Sequence, residues 1–175
     1  MAMNKIYIGI DNGVSGSIGI ITPKTSLFFK MPTIKQQDYH KAKHGITRID
    51  TLELKGLLEE YIPNGIQGNL VCVGMENPMV NPFRWKASAS ALRAFEATLT
   101  IVESFQVPYH HILAKDWQKD IFGKGYEGDA KKKVKVDTKA ISLQKAKQFF
   151  PKANLGKHPD GDGLLLAYYM KKNNF

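Results

Sequence analysis

Within the first thirty residues, three short runs of strand-forming residues follow one another at hairpin spacing, and this feature constrains the fold most. Lys5–Ile10 is rich in β-branched side chains and ends at Asp11; Ser17–Ile21 and Ser26–Lys30 follow, with Asp11-Asn12-Gly13 and Pro23-Lys24 in the gaps. Connections this short join antiparallel neighbours, because a parallel pair needs a long crossover. From Pro32 to Gly45 the chain is polar without a clear period, and a loop is expected there. Thr47–Tyr61 carries Ile49, Leu52, Leu54, Leu57 and Leu58 near helical spacing, and Pro63-Asn64-Gly65 closes it. Leu70–Met75 is a continuous apolar run, the pattern of a strand buried on both faces. Ala87–Phe105 reads as a long helix with Leu92, Phe95, Leu99, Val102 and Phe105 on one stripe, and Tyr109–Leu113 as a short strand. Lys119–Asp137, rich in Gly and Lys, is expected to be mobile; Thr138–Phe150 and Asp160–Lys172 read as helices. Strand–helix–strand alternation after Lys30 implies parallel pairing through crossovers. The expected fold is therefore α/β: a mixed five-stranded sheet, three antiparallel strands and then parallel ones, flanked by helices. A chain of 175 residues suits a single domain, 1–175.

Charge narrows the function. Lys and Arg number 25 against 16 Asp and Glu, a formal net charge of +9, which attracts phosphate backbones. No apolar run approaches the roughly 20 residues that span a bilayer, and Met1–Lys5 leads straight into a strand without a secretory pattern. The lone cysteine, Cys72, lies within an apolar strand and reads as a buried core residue in a reducing compartment. A cytoplasmic nucleic-acid-binding protein is expected.

The residues that carry chemistry are acids at element ends. Asp11 follows the first strand and Glu76 the Leu70–Met75 strand, while Asp160 and Asp162 open the last helix. Ligands of α/β sheets bind beyond the carboxyl ends of the strands, where neighbouring strands bring such acids together. Gathered carboxylates repel one another, and a hard divalent cation with oxygen ligands neutralises them. Two metals held by carboxylates are a common device for phosphodiester hydrolysis. Singly, each acid has a plainer reading: Asp11 in a turn with Asn12-Gly13, Glu76 as a solvated strand end, Asp160 as a helix cap.

Three segments, IGIDNGVSGSIGI, VCVGMENP and HPDGDGLLLAYY, resemble the RNase H-like nucleases, and among them the RuvC-type Holliday-junction resolvases, especially phage-encoded members. AKDWQKDIFGKG and DTKAISLQKAKQFFP resemble the region before the family's last catalytic acid, so the likeness runs from Ile6 to about Tyr169. The resemblance implies a structure-selective endodeoxyribonuclease that resolves branched DNA by paired symmetric incisions, as a homodimer with two Mg²⁺ per site, Mn²⁺ substituting. It makes Asp11, Glu76 and Asp162 metal-holding catalytic acids. The family places a further acid or histidine one helical turn before the last aspartate; Pro159 stands there, flanked by His158 and Asp160, so either neighbour is a candidate ligand. Lys139 and Lys119 match basic positions facing the scissile phosphate, or are solvated surface lysines. Lys131, Lys132, Lys133 and Lys135 are either a solvated run or backbone-phosphate contacts. Arg84, Trp85 and Lys86 are candidates to line the DNA groove, with Trp85 either stacking on an unpaired base or buried in the core. Trp117 reads as core, and His110-His111 as structural. A nuclease for flaps or RNA–DNA hybrids, or a non-catalytic DNA-binding module of the same fold, are the alternatives. An ATP-dependent sugar-kinase-like enzyme, which also opens on an Asp-x-Gly loop, needs two such domains and a longer chain.

Overall fold

The computed structural model describes residues 5–39, 44–62, 70–123 and 136–175. Strands β1 (Ile6–Ile10), β2 (Ser17–Ile21) and β3 (Ser26–Lys30) form the expected antiparallel meander. A second hairpin follows, β4 (Thr33–Gln37) with β5 (Gly45–Ile49), and then α1 (Thr51–Glu59), β6 (Val71–Glu76), α2 (Trp85–Ser104), β7 (Tyr109–Ile112), α3 (Ala114–Phe122), α4 (Thr138–Phe149) and α5 (Asp162–Lys172). The main sheet has the order β3-β2-β1-β6-β7, with β1, β6 and β7 mutually parallel, as the crossovers require.

The period of two decides what each face carries. Ile8 and Ile10 of β1, Ile18 and Ile20 of β2, and Val71, Val73 and Met75 of β6 pack on one face with Leu54 and Leu58 of α1 and Ala94, Ile101 and Val102 of α2. Tyr7, Ile21 and Cys72 pack on the other with Trp117 of α3, Ala146 of α4 and Leu164, Leu165, Leu166, Ala167 and Met170 of α5. Cys72 is the buried strand residue expected. On that second face Gly9 and Gly19 let α5 lie directly on the sheet. A Cβ at Gly19 would come within 2.2 Å of the Leu164 Cα, and one at Gly9 within 2.3 Å of the Gly163 carbonyl oxygen. Helix α5 is buried nearly all round, which is why its sequence shows no amphipathic stripe.

Several boundaries differ from the sequence reading. The expected loop over Pro32–Gly45 contains β4 and the first residue of β5; β4 is exposed along its whole length, so no buried face marks it. Thr47–Ile49 belong to β5, and α1 starts at Thr51, where Asp50 caps it by accepting from the Glu53 N–H at 3.1 Å. Leu52 and Leu92, assigned to the apolar stripes of α1 and α2, are exposed. The start of the stretch expected to be mobile, Lys119–Phe122, is the end of α3. That nine-residue helix buries Trp117 and Ile121 one turn apart, but it is short and has no side-chain N-cap, so no start signal marked it.

Candidate active site

The alternation that builds the core also builds the site. Along β6, Cys72, Gly74 and Glu76 share the α5 face, and Tyr7, Gly9 and Asp11 continue the same alternation from β1. Ile10 pairs in parallel with Met75, so Asp11 and Glu76 emerge side by side at the carboxyl end of the sheet. The loop between β1 and β2 closes by the Asp11 N–H donating to the Ser17 carbonyl at 2.9 Å. The turn reading of Asp11-Asn12-Gly13 and the site reading are therefore one structure. Asn12 joins the two strand ends, its amide donating to the Glu76 carbonyl oxygen at 2.9 Å; its own Oδ1 is buried without a partner among the described residues.

The other acids arrive with α5. The Gly163 N–H donates to the Ser17 Oγ at 3.1 Å, pinning the first turn of α5 onto β2. Ligand oxygens of Asp11, Asp160 and Asp162 consequently lie within 4.8 Å of one another. Glu76 stands beside this group, close enough to couple with Asp11 electrically. Asp160 is fully buried and does not cap the helix, since Gly161 holds that position and the Asp160 Oδ1 to Asp162 N distance is a long 3.4 Å. Its Oδ2 accepts instead from the Lys139 ammonium at 2.9 Å, and the Nδ1 of buried His158 lies 3.0 Å from its carbonyl oxygen and 3.3 Å from its Oδ1. His158, one of the two candidates flanking Pro159, thus holds Asp160 and is not part of the cluster. Ser142 of α4 donates to Asp162 Oδ1 and accepts from the Gly161 N–H at 3.0 Å.

Packed together away from water, Asp11, Glu76 and Asp162 resist ionisation. Burial pushes the Asp11 carboxyl well above the usual range, and the charges of Glu76, Asp162 and Asp160 push it further. Burial also raises Glu76 to about 7, against the opposing hydrogen bond from Trp117. Asp162 is raised to about 6, again chiefly by burial and against the Ser142 hydrogen bond. The hydrogen bond to Asp160 holds the Lys139 ammonium above its ordinary value. Among the described residues one lysine meets the four acids, which does not neutralise them, so protons or a cation would balance the rest. An anionic donor set made only of oxygen fits a hard divalent ion.

The remaining candidates divide. Lys119 lies on the exposed side of α3, and Lys139 is the lysine that meets the acids. Trp85 is 68% exposed, so it is not a core residue; Arg84 and Lys86 are exposed beside it. Met79, Val80 and Phe83, which the sequence reading passed over, are also exposed on the segment after Glu76. Their signal was an apolar cluster inside an otherwise polar loop. A cavity of about 500 Å³ is lined by Tyr39, Thr47, Trp85, Lys86, Ser90 and Arg93. Lys131, Lys132, Lys133 and Lys135 lie outside the described residues. His110 and His111 are exposed on β7 in ring contacts with Phe175, and with Phe95 and Tyr109. Trp117 is buried as expected, and it also donates to Glu76.

No family model matches the sequence, and no curated protein does. Among solved structures, the chain is similar to Thermus thermophilus RuvC in complex with a Holliday junction substrate, with a TM-score of 0.54 at 12% identity over 97% of this chain and 96% of that one. The fold is that of RuvC. A second Thermus thermophilus RuvC structure aligns at 14% identity with a TM-score of 0.46. In this RuvC-like fold the sheet is the mixed five-stranded, RNase H-like one, three antiparallel strands and then parallel ones, flanked by helices.

Proposed function

We propose that this protein is a divalent-metal-dependent endonuclease that resolves four-way DNA junctions by paired symmetric incisions. The observation that carries this reading is the convergence of Asp11, Asp160 and Asp162 within 4.8 Å, with Glu76 beside them, at the carboxyl end of a RuvC-like sheet. Asp11, Glu76, Asp160 and Asp162 hold two Mg²⁺ ions, with Mn²⁺ as a substitute. When bound, the ions supply an activated water and a charge clamp for the phosphodiester. Hydrolysis leaves a 5′-phosphate and a 3′-hydroxyl. Lys139 offsets negative charge on the phosphoryl oxygens, with Lys119 as a second, more peripheral cation. Arg84 and Lys86 bind backbone phosphate, Trp85 stacks on an unpaired base, and Lys131, Lys132, Lys133 and Lys135 add contacts that carry no sequence information.

Two symmetric incisions need two sites, so the working unit is a homodimer, with α2 as the candidate interface. No helix among the described residues is long and apolar enough to cross a membrane. The setting that fits the substrate is the cytoplasm of a bacterium or of a phage-infected cell.

Labelled four-way junctions, flaps, linear duplex and RNA–DNA hybrid, each incubated with and without Mg²⁺, test this. Symmetric nicks confined to the junction are expected. Cutting of flaps or hybrids in preference would replace the junction with another substrate. Equal cutting of every substrate would remove selectivity, and binding without cutting would leave a DNA-binding module.

A further inference from the structure

Trp117 heads the fully buried side chains by size among the described residues. Its ring is locked in the α3–α5 cluster, edge-on to Phe122 at 5.4 Å and packed in the same cluster as Tyr7, Cys72 and Met170. The indole has one polar atom, an N–H that only donates, and leaving it buried without an acceptor is costly. That atom donates to Glu76 Oε2 at 2.7 Å, a contact between α3 and the end of β6 across 41 residues of sequence. A ring that cannot turn fixes the direction of its N–H, and the N–H in turn fixes the carboxylate.

The character of this donor sets it apart from the others at the site. Lys139 meets Asp160 with a positive charge, which competes with any cation for the same carboxylate. The indole is neutral and does not titrate in the working range of a protein. It therefore orients Glu76 without cancelling its charge, and leaves Oε1 outside the bond. A residue serving only to fill the core needs no N–H, and a phenyl ring would do. We propose that Trp117 is a positioning residue whose indole N–H holds the Glu76 carboxylate in the orientation that receives the divalent cation. The proposal rests on the reading of Glu76 as a metal ligand.

The chain has two tryptophans, so ¹⁵N-labelled protein gives two indole N–H signals, and Trp117→Phe assigns them. In wild-type protein the Trp117 signal is expected to shift saturably with Mg²⁺, and in metal-free Glu76→Ala to move upfield as its acceptor is lost. Trp117→Phe keeps most of the ring and loses the N–H. Loss of such an outer partner weakens metal binding by about 10- to 100-fold. The Mg²⁺ concentration for half-maximal junction cleavage should rise by that factor, with saturating Mg²⁺ restoring most of the rate. A variant that melts earlier yet keeps the wild-type Mg²⁺ requirement would overturn the proposal, because a packing role alone produces that result. If Trp117→Phe fails to fold, the signal in Glu76→Ala decides, and an unmoved indole proton overturns it. Calorimetry separates the underlying reading: Glu76→Ala binding Mg²⁺ as tightly as wild type removes Glu76 as a ligand, and the proposal with it, even where the indole proton has moved. Lost Mg²⁺ binding with an unmoved indole proton overturns the positioning role alone.

Discussion

Asp11 and Asp160 are both acids of one cluster, yet removing their charges has opposite expected effects on the metal-free protein. Asp11 is raised by burial and by three neighbouring acids, so Asp11→Asn should raise the melting temperature of the protein in EDTA. Asp160 is held by Lys139 and His158, so Asp160→Ala should cost about 1–3 kcal/mol. Thermal melts in EDTA check both signs. pH gives a second test. Glu76 and Asp162 rise on folding from 4.5 to about 7 and from 3.8 to about 6. A raised carboxyl pKa means that the folded state binds the proton more tightly, so stability from these groups is present at low pH and is lost as pH rises through that window. In EDTA the protein should lose on the order of a few kcal/mol between pH 4 and pH 8 from this source, and Mg²⁺ should restore it at pH 8. Unchanged stability across the window, with and without Mg²⁺, would contradict the electrostatics described. Asp11, Glu76 and Asp162 were legible in the sequence because they respectively follow a strand, end one and open a helix. The division of labour among His158, Asp160 and Asp162 was not, because they lie within a few residues on an irregular turn. Their partners Ser142, Lys139 and Trp117 come from distant elements, and no local pattern announces such pairs.

Among the elements, α5 sets the geometry of the site, because its backbone lies against β1 and β2 with nothing between. Gly19→Ala places a methyl group 2.2 Å from the Leu164 Cα, a backbone contact that cannot swing aside. The expected cost is about 1–3 kcal/mol or more, and the displaced first turn should carry Asp162 out of reach of Asp11. A thermal melt reads the first effect and Mg²⁺ titration calorimetry the second. A variant with normal Mg²⁺ affinity would show that the helix can shift without disturbing the acids. Strands β1, β2 and β6 were readable because they bury nearly every side chain, and β3 and β7 because short β-branched or aromatic runs stand at hairpin or crossover spacing from them. The β4–β5 hairpin was not, because β4 buries nothing and is held by the ladder and an exposed Arg48–Gln36 side-chain hydrogen bond. Helix α3 escaped for a different reason: it is only nine residues long and no capping residue marks its start.

For the whole molecule, a net charge of +9 surrounds an acidic centre. On the proposed function, that positive charge attracts DNA phosphate, and the acids would repel it until a cation is bound. Junction affinity should fall linearly in a log–log plot against salt, losing about 0.9 of slope per phosphate contact removed. Replacing Lys131, Lys132, Lys133 and Lys135 by Ala should flatten the slope by about 3.6 if each contacts a phosphate. An unchanged slope would return them to the solvated reading.

The most direct test of the central claim compares wild type with Asp11→Asn on a labelled four-way junction, following binding and cleavage in parallel with Mg²⁺ and with EDTA. The expected result is Mg²⁺-dependent cleavage by wild type, and junction binding without cleavage by Asp11→Asn. Cleavage by Asp11→Asn at the wild-type rate, or cleavage by wild type in EDTA, would contradict a metal-dependent site built on Asp11.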